Sequence, residues 1–376
     1  MKIGLTGGGT GGHFYPIIAV AEALRKQAND RKLVDLELYY FAPQPYDESA
    51  LFENKITYVR VGAGKLRPYL SLENITDAFK TVAGVVTALR ELYHIYPDVI
   101  FSKGGYVAFP VMLAARLLRI PVIMHESDSV PGKTNAWTAS FARRIAVSFP
   151  DAAHFFDAQK VAITGNPIRA AVAVAATKDA GTQLFNLEPG LPVVLVLGGS
   201  QGAQIINETI LDALPELVKK YHIIHQVGKA HLVVTQKTID VILANNPNRA
   251  RYIFVDNFTV LKLRAAAGAA DIVVTRAGST LFEIATWGVP SLVVPITKSN
   301  GDHQRKNAYG YARTGAAVVI EENNLTAHIL LSEINRLTAA PDTRASMSAA
   351  ARAFSHTNAA DLIATELITV GLEHEQ

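Results

Sequence analysis

Four short stretches of this sequence carry residue types that bind and move phosphorylated groups. The first is Gly7-Gly8-Gly9-Thr10-Gly11-Gly12-His13. Glycines let backbone N–H groups approach an anion closely, and a helix that follows presents its N-terminus to negative charge. The spacing Gly7-x-Gly9-x-x-Gly12 matches the dinucleotide fingerprint and equally suits a tight turn that packs a helix onto a sheet. His13 stands where the loop becomes a helix, a placement that suits a general base. The second stretch, Gly198-Gly199-Ser200-Gln201-Gly202-Ala203, repeats the pattern and adds the Ser200 hydroxyl as a donor. In the third, Arg276-Ala277-Gly278-Ser279-Thr280-Leu281-Phe282-Glu283, the small residues suit a diphosphate. Glu283, one turn inside the expected helix, can accept both hydroxyls of a ribose or simply answer the helix dipole. The fourth is Asp302-His303-Gln304-x-x-Asn307, where two amides three residues apart share a helix face. Such amides can read sugar hydroxyls or serve as a polar cap.

His125-Glu126-Ser127-Asp128 lies just past a buried strand, where parallel α/β sheets place ligands. Gly132-Lys133-Thr134 imitates the end of a phosphate-binding P-loop, but the first glycine of that motif would fall on Ser127. No Asp-x-Asp pair and no spaced histidine–carboxylate set occurs, so neither a dedicated metal site nor a cofactor is expected.

The elements that must hold these residues alternate. Short apolar runs predict strands at Lys2–Thr6, Leu36–Phe41, Val99–Ser102, Val122–His125, Val161–Thr164, Val193–Leu197, Ile223–Gln226, Ile253–Val255, Ile272–Thr275 and Ser291–Val294. Helical periodicity marks Phe14–Gln27, Ala78–Tyr93, Ala203–Leu217 and Phe282–Trp287 between them. This rhythm predicts an α/β fold with parallel sheets. It starts twice, at Lys2 and at Val193, and each first strand ends in a glycine cluster. Two Rossmann-like domains are therefore expected, residues 1–165 and 166–349. A helical segment of about 350–376 is expected to return to the first domain.

Bulk composition narrows the class. The chain has 376 residues, 49% hydrophobic and 18% charged, enough for sizeable cores. A net charge of +3 gives no ground for nucleic-acid binding, and the absence of cysteine excludes disulfide scaffolds and thiolate metal sites. No signal peptide is expected, since Met1–Thr6 runs straight into the glycine loop. Nor is a membrane span, since Ala108–Met124 is interrupted by Arg116, Arg119 and Pro121. A soluble or peripheral protein is the expectation.

Taken together, the motifs resemble the MurG family, the bacterial peptidoglycan N-acetylglucosaminyltransferases of glycosyltransferase family 28. The resemblance runs through Thr6–His13, Phe101-Ser-Lys-Gly-Gly-Tyr106, His125–Asp128 with Pro131-Gly132 and Asn135, and Gly165-Asn-Pro-Ile-Arg169. It continues through Gly198–Ala203, His225-Gln226 with Gly228-Lys229, and Asp302-His-Gln304 with Asn307. It implies a GT-B fold, with two Rossmann-like domains whose parallel sheets face across a cleft. The implied donor is UDP-N-acetylglucosamine. Ser200, Gln201, Ser279 and Thr280 would take its diphosphate, with Arg169 near the nucleotide. Glu283 would hold the ribose, Phe258 the uracil, and Gln304 with Asn307 the sugar. The implied acceptor is an undecaprenyl-linked lipid, undecaprenyl-diphospho-muramoyl-pentapeptide. Thr10, Gly11, Gly12, Gly104, Gly105 and Tyr106 would take its diphosphate, and Asp128 would approach the reacting sugars. The chain departs from the family pattern in two places. Ser127-Asp128 stands where many members carry Gln-Asn, and the Arg276–Glu283 stretch is one residue shorter.

The implied reaction is an inverting displacement with His13 as first choice of base and Asp128 as rival. A membrane-borne acceptor implies peripheral contact with the cytoplasmic face of the bacterial membrane. Leu66, Tyr69, Leu70, Ile75 and Phe79, set among basic residues, are the candidate contacts; a loop and helix packed on the core is the plain alternative. Competing readings are another GT-B enzyme, such as a different glycolipid transferase or a UDP-N-acetylglucosamine epimerase, and a non-catalytic sugar-nucleotide binding module. A further one is an NAD-dependent oxidoreductase with Glu37, at the end of the second strand, on the ribose.

Overall fold

The computed structural model describes residues 1–32, 35–64, 72–199, 202–297 and 299–374, without the side chains of 72–75 and 300. The chain forms two compact units, Met1–Ala170 with His356–Gln376, and Ala171–Ser355.

The first unit holds β1 (Lys2–Thr6), β2 (Glu37–Ala42), β3 (Ile56–Arg60), β4 (Val99–Ser102), β5 (Val122–Glu126), β6 (Arg144–Val147) and β7 (Val161–Ile163). All pairs are parallel, in the order β3-β2-β1-β4-β5-β6-β7. Central strands are buried along almost their whole length, and largely apolar, because both faces are covered. Leu5, Val99 and Phe101 pack against Ile17, Ile18 and Leu24 of the helix Gly11–Asp30 and against Leu367 and Ile368 of the C-terminal helix Ala359–His374. Ile100 and Val122 turn the other way, toward Leu92 of the helix Leu72–Ile95 and Val111 and Met112 of Phe109–Leu118. The C-terminal helix is thus part of this unit, and Gln27 donates to the Asp361 carbonyl at 2.8 Å. The helix just before it, Pro341–Phe354, belongs to the second unit.

The second unit holds β8 (Val193–Leu197), β9 (His222–Gln226), β10 (Tyr252–Val255), β11 (Ile272–Thr275), β12 (Ser291–Val293) and β13 (Ala317–Val319), parallel in the order β10-β9-β8-β11-β12-β13. Val194, Val196 and Ile223 face the helices Gln204–Leu217 and Ala327–Thr338. Leu195, Ile224 and Val273 face Val260–Ala269 and Thr280–Trp287. Each unit is therefore a Rossmann-like α/β domain, and each sheet reverses its order once, between β1 and β4 and between β8 and β11. Loops leaving the carboxyl ends of those strands splay apart, which is where such sheets bind ligands.

Three strands escape the sequence reading: β3, β6 and β13. β3 and β13 are sheet edges, β6 opens on the exposed Arg144, and none is a long apolar run. Glu37 is a correction. It begins β2 rather than ending it and is in register with Lys2, at the end of β1 opposite the glycines. It accepts a hydrogen bond from the Tyr39 hydroxyl instead. The dinucleotide reading thereby loses its ribose acid.

Candidate active site

In the first unit, β1 delivers the chain into Gly7, Gly8 and Gly9, all at positive φ (137°, 154° and 88°). The need for glycine is steric. A Cβ on Gly7 would lie 2.7 Å from the Lys103 Cβ, and one on Gly8 would lie 2.8 Å from the Tyr40 hydroxyl. That hydroxyl donates to the Gly7 carbonyl at 2.7 Å, and burial pushes its pKa well up. Thr10 caps the helix and its hydroxyl lies 3.0 Å from His13 Nδ1. A Cβ on Gly105 would stand 3.8 Å from His13 Nε2. The loop after β1 and the loop after β4 thus meet at His13. Gly9 and Thr10 are exposed, Gly11, Gly12 and Gly105 are partly so, and Tyr106 is exposed beside Gly9. Gly104 is buried, and a Cβ there would lie 2.4 Å from the Asn135 Oδ1.

The β5 end adds charge. Glu126 is 4% exposed, and its carboxylate accepts from the Asp128 N–H (3.0 Å), the Gly132 N–H (3.0 Å) and the Asn135 amide (2.8 Å). Those three bonds fold the 126–132 loop and bring half-buried Asp128 to the same rim. Burial, reinforced by Asp128, raises the Glu126 pKa against the pull of those donors. His125 is fully buried, with Nε2 2.9 Å from the Gly165 carbonyl; burial and the Lys103 charge hold its pKa well below the usual histidine value. Lys103, 1% exposed, is lowered to about 8 by burial, with Glu126 and Asp128 opposing the drop. Lys103 and Glu126 both lie in motifs quoted above, yet nothing in their residue types announced burial. Arg169 belongs to this unit, its guanidinium 3.9 Å from the centre of the Tyr15 ring.

In the second unit, β8 runs into Gly198 and Gly199; Ser200 and Gln201 lie outside the described residues. A Cβ on Gly202, at φ 76°, would lie 2.1 Å from the Val227 carbonyl, so only glycine fits. The Asn207 amide also donates to that carbonyl at 2.9 Å. Its Oδ1 therefore faces His225 Nε2 at 3.0 Å, and the Tyr252 hydroxyl lies 2.9 Å from Nδ1. His225 must carry its proton on Nε2 and accept from Tyr252. Burial lowers its pKa to about 3, so it is a neutral strut under the glycine loop.

Across the switch point, Arg276 pairs with Glu322 at 2.6 Å and donates to the Val294 carbonyl at 3.1 Å. Asn307, buried, donates to the Ala277 carbonyl at 3.1 Å. These contacts fix the turn that presents partly exposed Ser279, Thr280 and Glu283 at the start of the helix Thr280–Trp287. Gln304 accepts from the Ile296 N–H at 3.2 Å. Phe258 is partly buried, packed against the cluster of Leu195, Ile224 and Val273. Among the described residues, no three His, Asp or Glu side chains gather as a metal site.

Residues 3–147 match the glycosyltransferase family 28 N-terminal domain, and residues 193–363 match its C-terminal domain. The chain belongs to glycosyltransferase family 28. It is accordingly a hexosyltransferase. Among its relatives, a Bacillus cereus protein named UDP-N-acetylglucosamine--N-acetylmuramyl-(pentapeptide) pyrophosphoryl-undecaprenol N-acetylglucosamine transferase 2 is 36% identical over 339 residues, 89% of this chain and 91% of that protein. A Clostridium tetani transferase of the same designation is 34% identical over 340 residues, 89% of each chain. The crystal structure of MurG from Acinetobacter baumannii superposes with a TM-score of 0.73 at 27% identity, covering 98% of this chain and 99% of that one. The family 28 assignment matches both the α/β class and the pair of Rossmann-like domains described above.

Proposed function

We propose that this family 28 enzyme transfers N-acetylglucosamine from UDP-N-acetylglucosamine to the C4 hydroxyl of the muramoyl sugar of undecaprenyl-diphospho-muramoyl-pentapeptide. The observation that carries this reading is the near end-to-end match to transferases of that name, 89% of this chain and 91% of the Bacillus cereus protein. The geometry supports it. The reaction brings together two diphosphates, and each unit offers one glycine-lined anion cradle at its switch point.

In this reading the first unit takes the acceptor, with its diphosphate on Thr10, Gly11 and Gly12 and on Gly104, Gly105 and Tyr106. The second unit takes the donor. Gly198–Ala203, Ser279 and Thr280 cradle the UDP diphosphate, Glu283 the ribose, Phe258 the uracil, and Gln304 and Asn307 the sugar, with Arg169 toward the nucleotide. The base removes the C4 hydroxyl proton and the oxygen attacks the anomeric carbon. The bond to the UDP oxygen breaks, configuration inverts, and UDP leaves with its charge spread over N–H donors. His13 is the first choice, since Thr10 orients its ring beside Gly105; Asp128 on the same rim is the rival.

A lipid-borne acceptor requires contact with the cytoplasmic membrane face. Leu66, Tyr69 and Leu70 lie outside the described residues, as does the Ile75 side chain. Phe79 is 73% exposed and is followed on the same helix by exposed Val82, Val86 and Tyr93, with exposed Lys80 and Arg90 between. Three of these, Phe79, Val82 and Val86, follow helical spacing, an apolar stripe flanked by cations that suits a lipid surface. Among the described residues no helix is long and apolar enough to cross a membrane.

The deciding experiment measures UDP release from UDP-N-acetylglucosamine with and without the lipid acceptor. Acceptor-dependent release with a disaccharide product is expected; release that ignores the acceptor overturns the reading. Phe79→Ser with Val82→Ser should weaken sedimentation with anionic phospholipid vesicles. Unchanged binding removes this helix from the membrane contact.

A further inference from the structure

Lys103 stands at the carboxyl end of β4, beside the point where the first sheet reverses. Its backbone N–H donates to the Thr6 carbonyl at 2.8 Å, extending the β1–β4 pairing up to the first glycine of the loop. Its Cβ fills the space a Gly7 side chain would need. The side chain is 1% exposed, and its Nζ has no hydrogen-bond partner among the described residues. A buried ammonium in that condition is costly and persists only where something offsets the cost.

Titratable groups on neighbouring elements give the reason. β5 contributes Glu126 and His125, and the following loop Asp128; His13 of the first helix acts on His125, and Tyr40 of β2 bonds the Gly7 carbonyl. Of these, Glu126 is fixed in place by the three N–H donors that fold the 126–132 loop. The loop is thus built around a buried negative charge, with Asp128 adding a second. Both would repel a diphosphate arriving on the glycines. His125, held neutral by burial, offers no counter-charge.

We propose that Lys103 is a positioning residue for the acceptor: its buried charge offsets Glu126 and Asp128, so that an anionic diphosphate can dock on the glycine loops above it. This rests on the reading that the first unit takes the lipid-linked diphosphate. Lys103 acts through the local potential and touches no substrate. Because burial lowers its pKa to about 8, its charge is lost in mildly alkaline solution. kcat/KM for the acceptor then falls as pH rises through that range, while KM for UDP-N-acetylglucosamine stays flat.

The test uses the full chain, UDP-N-acetylglucosamine and a short-prenyl diphospho-muramoyl-pentapeptide, assayed from pH 6 to about pH 10, a span that brackets the ordinary lysine value. Lys103→Met should raise the acceptor KM at least about tenfold at neutral pH, leave the donor KM unchanged and abolish the alkaline limb. Lys103→Arg keeps a charge that does not titrate in this range. It should therefore restore the neutral-pH KM and also lack the limb. A general loss of packing would instead lower activity evenly across pH and for both substrates, and that result overturns the proposal, as does an unchanged acceptor KM. Should both variants fail to fold by circular dichroism, the wild-type profile decides: an alkaline limb near pH 8 supports the assignment and its absence overturns it. If the wild-type chain shows no acceptor-dependent UDP release at all, it is the transferase reading that fails.

Discussion

Acid should loosen the second unit, and the cause can be traced to His225. It is fully buried between Asn207 and Tyr252, and its pKa is lowered to about 3 from an ordinary value of 6.5. An unfolded chain therefore takes up a proton at a higher pH than the folded one. Stability contributed by the neutral ring is complete above pH 6.5 and declines as pH falls toward 3. Each unit of separation is worth about 1.4 kcal/mol, so about 2 to 3 kcal/mol should be gone by roughly pH 4.5. The loss lands on the site because Asn207, held by His225, donates to the Val227 carbonyl against which Gly202 packs. Urea unfolding at pH 7 and at pH 4.5 measures it. Trp287, buried in this unit, is the reporter once Trp137 is replaced by phenylalanine. Comparison with His225→Gln cancels every other titrating group. The stability gap between the two proteins should shrink by those 2 to 3 kcal/mol at the lower pH. A gap that does not depend on pH refutes the buried-neutral reasoning.

Further expectations concern the two glycine loops and the base. Glu126→Ala leaves three N–H donors without an acceptor in a buried loop and should cost about 3 kcal/mol or more in urea unfolding; a change under 1 kcal/mol, by the same scale, would mean the loop does not depend on that carboxylate. Gly202→Ala places a Cβ against the Val227 carbonyl at positive φ. It should weaken UDP binding by calorimetry at least about tenfold, since the strain and clash exceed about 1 to 2 kcal/mol. His13→Ala and Asp128→Asn separate the two candidate bases. The base variant should lower kcat by about a hundredfold or more at saturating acceptor, and near-normal kcat in His13→Ala would pass the role to Asp128.

The central strands were legible because burial on both faces makes a strand largely apolar. β1, β4, β8 and β11 occupy the residues their composition predicted. So did the glycine clusters, because positive φ and close backbone approach admit little else at Gly7–Gly9 and Gly202. The edge strands β3 and β13 were not legible, since half-exposed segments such as Ile56–Arg60 mix polar and apolar residues and read as loop, whereas the edges β7 and β10 were predicted. Glu37 was misplaced because residue type does not say which end of a strand a side chain occupies, and the Lys2 register decided it.

The loop Gly7–Gly12 was recognisable from its residues as a glycine cradle beside a histidine. Glycine spacing is a local property, written into the chain and independent of what packs around it. Which charges surround that cradle was a different matter. Lys103 and Glu126 carry side chains that ordinarily sit in water, and only the convergence of β1, β4 and β5 buries them beneath the glycines. Burial and pairing depend on residues distant in the chain, so tertiary structure alone decided that a lysine and a glutamate stand buried beside that loop.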